Sequence, residues 1–69
     1  MKQISGKKLA KLLEKCGWRL IRTNGSHHTY KNQNVKEMIT ISIHGNKPIK
    51  IGILKQVMKI AEISEDELK

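Results

Sequence analysis

The stretch WRLIRTNGSHHTYK, residues 18–31, decides the fold. Residues 18–23 are rich in aromatic, branched and long side chains and read as a strand. Asn24-Gly25 then interrupts the run with the dipeptide most favoured in tight hairpin turns, and a second strand follows over 26–31. A connection this short joins antiparallel neighbours only. Side chains alternate between the two faces of a strand, so Ser26, His28 and Tyr30 share one face and His27, Thr29 and Lys31 the other. The set containing Tyr30 is the better match to a core, which assigns His27 to a polar, open face.

Upstream, Ser5 caps a helix running through Lys15, with Ile4 before it and Gly17 as its stop. Leu9, Leu12, Leu13 and Cys16 fall at i, i+3, i+4 and i+7 and make one apolar stripe, while Lys8, Lys11 and Lys15 make a basic stripe beside it. Downstream, Asn32-Gln33-Asn34 is a polar turn. Residues 38–44 form a third strand, with Ile39, Ile41 and Ile43 on one face and Thr40, Ser42 and His44 on the other. Residues 45–48 are a loop. A second helix starts near Lys50 and ends near Ala61, its broad apolar face (Ile53, Leu54, Val57, Met58, Ile60) suited to covering a sheet. Ser64 and Glu67 stand at capping-box spacing and predict a last short helical turn. The order predicts an α+β fold, α-β-β-β-α, with a three-stranded antiparallel sheet and both helices on one face of it.

The chain has 69 residues, enough for one small domain spanning 1–69 with a modest core. Its single cysteine forms no internal disulfide, and Cys16 at a core-facing helical position is expected to be an inert packing group. No signal peptide or membrane-spanning run is visible, so a soluble, cytoplasmic protein without membrane association is expected. The formal net charge of +8 is unevenly placed: residues 1–59 carry 13 Lys and Arg against Glu14 and Glu37, a net +11, and residues 60–69 carry a net −3. Such a field attracts nucleic acid, anionic membrane or acidic protein partners, the blander alternative being a solvated surface kept for solubility.

The run Gly25-Ser26-His27-His28 carries the chemistry. Histidine exchanges protons near neutral pH without elaborate tuning, and a basic surface around it suits a phosphodiester. RNA brings its own nucleophile, the 2′-hydroxyl. His27, on the open face, is the candidate catalytic group, while His28 on the Tyr30 side is expected to pack. His44, Ser26 and Gly25 are candidates for a second catalytic or substrate-positioning role, although a histidine at a strand end also serves simply to hydrogen-bond its loop. Lys8, Lys11, Lys15, Arg19, Arg22, Lys31 and Lys47 are the candidate RNA-binding cations. Adjacent strand residues point to opposite faces, so His27 and His28 do not readily share an ion, and no carboxylate stands close by in sequence; neither a metal nor another cofactor is expected. Trp18 and Tyr30, the only aromatics, are too few for a base-stacking platform, so recognition should rest on phosphates and shape.

Over nearly its whole length the sequence resembles the HicA family of toxin–antitoxin modules. The likeness rests on Ser5-Gly6-Lys7 with Leu9 and Leu12-Leu13, on Gly17-Trp18 and Arg22, on Gly25-Ser26-His27-His28, on the isoleucine-rich third strand ending in His44-Gly45, and on Lys50 with residues 52–54. The chain departs from the family pattern after Gly45, where Asn46-Lys47-Pro48 stands in place of a further glycine or an acidic residue. The resemblance implies a fold like the double-stranded-RNA-binding domain and metal-independent cleavage of messenger RNA. It also implies a catalytic histidine directly after Gly-Ser, which is His27, and inhibition by a cognate HicB-like antitoxin covering the active site. A non-catalytic double-stranded-RNA-binding module shares the element order and the charge but leaves the Gly-Ser-His run without a purpose.

Overall fold

The computed structural model of the chain describes residues 3–68. Helix α1 spans Gly6–Lys15, strands β1, β2 and β3 span Arg19–Asn24, His27–Lys31 and Ile39–Ser42, helix α2 spans Ile51–Ala61, and a 3₁₀ turn covers Glu65–Leu68. The sheet order is β1-β2-β3, antiparallel throughout. The α-β-β-β-α order and the dsRBD-like α+β class expected from the sequence are those of the molecule.

Local chemistry fixes the ends of α1. The Ser5 side chain accepts a hydrogen bond from the Lys8 amide at 3.2 Å, satisfying one of the free N–H groups of the first turn. At the other end Gly17 adopts a left-handed conformation (φ 92°). The Trp18 amide donates to the Leu13 carbonyl and the Gly17 amide to that of Glu14. That pair of bonds closes the helix in a Schellman motif and turns Trp18 back under it. The closure corrects one expectation. Cys16 is the cap residue, outside the apolar stripe, and it is exposed.

Both helices cover the same face of the sheet. Leu9, Ala10 and Leu13 of α1 and Leu54, Val57 and Met58 of α2 share one cluster with Trp18, Tyr30, Ile39 and Ile41. Leu9, Leu13, Ile41 and Leu54 are fully enclosed. Residues outside the periodic elements complete the core: Ile4, Ile49 and Ile63 are each buried. The Ile49 amide donates to the Ile4 carbonyl, and Ser5 bridges Pro48, so the loop after β3 is tied to the chain entering α1. Helix α2 ends with Glu62 in the left-handed region (φ 56°) and the Ile63 amide bonded to the Met58 carbonyl.

Both ends of β1 and β3 and the start of β2 differ from the sequence reading, β1 beginning at Arg19 and β3 at Ile39, each one residue later than expected. The hairpin loop is Gly25-Ser26, so Asn24 closes β1 and His27 opens β2. Only Gly25 has positive φ (62°) of the two loop residues, the II′ pattern with glycine first. Strand β3 ends at Ser42, although the Ile43 amide still reaches the Ser26 carbonyl at 2.8 Å, and His44 lies in the loop beyond.

Candidate active site

The register of the sheet assembles the site row by row. The bond from Ile43 to Ser26 continues the β2–β3 ladder and fixes its phase: residues 39, 41 and 43 exchange backbone bonds with β2, while Thr40 and Ser42 form the intervening non-hydrogen-bonded pairs. In such pairs the facing side chains come closest. Thr29 and Thr40 show it directly, their hydroxyl oxygens lying 3.1 Å apart. His27 and Ser42 form the next such pair along the same face.

That face is the one without helices. Alternation from the buried Ile39 and Ile41 places Thr40 and Ser42 on it, and pairing adds Thr29 and His27 from β2 and Asn24 and Arg22 from β1. Arg19 and Lys31 pair at its far end. His27 is exposed there, flanked in register by Asn24 and Ser42, and Arg22 stands one row away opposite Thr29. A break in register between Leu20 and Arg22 sets Ile21 out as a bulge, and beyond it Arg22 pairs with Thr29. His28 points to the helical side opposite Ile41, but at the end of the sheet it is only half-buried rather than part of the core.

Beyond Ser42 the chain turns through Gly45 (φ 57°), and the Lys47 amide donates to the His44 carbonyl at 3.0 Å. This turn builds a concavity of about 380 Å³ whose lining includes Thr40, Ser42, His44, Lys47, Lys50 and Ile53. Ser42 is therefore shared: it faces His27 across the ladder and lines the concavity with His44. Lys50 joins His44 and Lys47 only because residues 48 and 49 dock on residues 4 and 5. The sequence marks Lys50 merely as the start of a helix, and no local pattern signals this neighbourhood. Asn24 and Ser42, the register neighbours of His27, are likewise visible only once strands are paired.

The expected cations divide between two sides of the molecule. Arg19, Arg22 and Lys31 lie on the open face with His27, and Lys47 lines the neighbouring concavity. Lys8, Lys11 and Lys15 do not join them. All three are exposed on α1 opposite its buried residues Gly6, Leu9, Ala10 and Leu13, and so face away from the sheet. Gly25 and Ser26 form the turn that aims His27. A larger cavity of about 540 Å³ lies at the other end of the sheet, where Cys16, Arg19, Leu20 and Lys31 line it. It is remote from the histidine.

Among the described residues, no three His, Cys, Asp or Glu side chains are grouped to hold a metal ion. No helix there is long and apolar enough to cross a membrane. Burial, and secondarily the Glu14 carboxylate, raise the Tyr30 phenol above its ordinary value of 10.0.

The model of the family described as the HicA toxin of bacterial toxin–antitoxin systems matches residues 6–63, which span every element from α1 through α2. No curated protein matches the chain.

Proposed function

Because this chain belongs to the HicA toxin family, we propose that it is an endoribonuclease that cleaves messenger RNA with His27 and is silenced by its cognate antitoxin. One observation carries the reading: the exposed imidazole of His27 leaves a tight turn onto the open sheet face, beside the Ser42 hydroxyl and within a field of uncompensated cations. RNA cleavage without a metal needs three things of a protein: a proton acceptor for the 2′-hydroxyl, charge to stabilise the phosphorane, and a proton for the departing 5′-oxygen. The 2′-oxygen attacks phosphorus, the bond from phosphorus to the 5′-oxygen breaks, and a 2′,3′-cyclic phosphate and a 5′-hydroxyl result. His27 takes the first proton as neutral imidazole or gives the second as imidazolium. Arg22, Lys47 and Lys50 remain protonated and hold the phosphate charge, work for which they suit better than for accepting protons.

His44, across Ser42 from His27, supplies the complementary proton transfer or positions the neighbouring phosphate. The reaction requires no resident metal or cofactor, and a cytoplasmic site of action follows from the substrate. Growth of a bacterial host expressing the chain alone tests the proposal. Arrest with fragmentation of messenger RNA is expected for the wild type and normal growth for His27→Ala at equal protein level. If both arrest growth equally, His27 is not the catalytic group. Should the wild type bind RNA yet leave it whole, the chain is a binding module instead.

A further inference from the structure

The sheet has two free edges, and the chain treats them differently. The β1 edge carries a bulge at Ile21 and the charges of Arg19 and Arg22, devices that discourage pairing with another strand. The β3 edge, Ile39–Ser42, carries neither a bulge nor a charge. Because residues 39 and 41 spend their backbone groups on β2, the N–H and C=O groups of Thr40 and the N–H of Ser42 point outward from this edge, whereas the Ser42 carbonyl oxygen is pressed against Gly6 at the start of α1.

A groove follows the same edge. Between β3 and α2 it is lined by Met38, Ile53, Gln56, Val57 and Ile60, and through Thr40 and Ile53 it continues into the concavity of His44, Lys47 and Lys50. Met38 and Ile53, 52% and 45% exposed, are two of the four large hydrophobic side chains left open on the surface among the described residues. No acidic residue lines either part.

We infer that the free edge of β3 and the groove beside it accept an extended segment of the antitoxin, apolar where it meets Met38 and Ile53 and acidic where it meets Lys47 and Lys50. The segment adds to the sheet as a fourth strand. The N–H and C=O of Thr40 and the N–H of Ser42 supply the pairing, the apolar floor supplies burial, and the basic end fixes direction. A strand so placed ends beside Ser42, where α1 begins, and crowds the concavity of His44 next to His27, which links binding to inhibition. The inference rests on the chain being the toxin half of a pair; it does not depend on which residue cleaves RNA.

Hydrogen exchange on the full chain, free and in complex with the antitoxin that neutralises it on co-expression, tests the inference. The Thr40 and Ser42 amides should slow by at least about tenfold in the complex. Ile53→Lys should weaken antitoxin binding by at least about tenfold, whereas Ile21→Lys on the other edge should leave it unchanged. A complex in which the Thr40 and Ser42 amides exchange as they do in the free chain overturns the inference while leaving the toxin reading intact. Equal losses from both substitutions do the same, as does slowing of these amides by RNA in place of the antitoxin. If no antitoxin binds the chain, both readings fall together.

Discussion

His27 and Ser42 face each other across a non-hydrogen-bonded pair of the β2–β3 ladder, so their side chains stand as neighbours on the sheet face that no helix covers. The strand carrying Ser42 is held from behind by α1. A Cβ added to Gly6 would lie 3.0 Å from the Ser42 carbonyl oxygen and 3.1 Å from the Ile43 side chain. The first residue of α1 is thus pressed against the strand end that flanks the histidine.

Gly6→Ala should therefore destabilise the fold by about 1–3 kcal/mol, since the clash involves backbone that moves only with the strand. It should also slow RNA cleavage by displacing Ser42. Gly52→Ala is the matched control: nothing lies within 4 Å of its added Cβ, and alanine in a helix is favoured by up to about 1 kcal/mol. Thermal unfolding of the two variants should move in opposite directions.

The separation of the cations into two sides predicts a split in RNA binding. Neutralising Arg22 and Lys47, near His27, should raise KM for RNA and reduce the slope of log affinity against log salt by about 1 for each phosphate left without its cation. Neutralising Lys8, Lys11 and Lys15 together should lower affinity without changing the cleavage rate at saturating RNA. A fall in kcat in the lysine triple variant would mean that substrate reaches the site from the helical side.

Glu62 closes α2 in the left-handed region at φ 56°, a conformation that costs a side chain about 1–2 kcal/mol. Glycine avoids that strain but loses more freedom on folding. Glu62→Gly should raise stability by up to about 1 kcal/mol, measured by denaturant unfolding. A loss of stability would mean that the Glu62 side chain contributes more than its backbone strain.

Tyr30 gives the fold an alkaline limit. Burial, with the Glu14 carboxylate as the lesser cause, raises the phenol above its ordinary 10.0, so the folded state favours the neutral ring. This contribution is fully present below pH 10, the unfolded value, and is lost as pH rises through the higher folded value. The difference in stability between wild type and Tyr30→Phe should be constant below pH 10 and shift in favour of the phenylalanine variant above it. A difference independent of pH would contradict the assignment.

The hairpin and the third strand were legible because alternation with period two is a local signal, and Tyr30 and the isoleucines carry it. The turn slipped by one position because Asn-Gly and Gly-Ser both fit two-residue loops, and only the register shows that Gly25 comes first. Cys16 matched the helical period but is the cap residue, just before the Schellman closure at Gly17, where the period no longer applies. Ile4, Ile49 and Ile63 are buried by segments docking on one another, outside any periodic element. The same long-range docking brings Lys50 to His44. Sequence placed Lys8, Lys11 and Lys15 near the other cations along the chain, whereas the layer between α1 and the open face is a property of packing alone.

That His27 moves the proton in RNA cleavage is tested most directly by incubating a defined RNA in EDTA with wild type and His27→Ala, and identifying the new ends by mass spectrometry. The wild type should leave 2′,3′-cyclic phosphate and 5′-hydroxyl ends. His27→Ala should cleave at least about 100-fold more slowly while melting at the same temperature, the loss typical of removing a general acid or base. Cleavage by the alanine variant at the wild-type rate would contradict the assignment of His27.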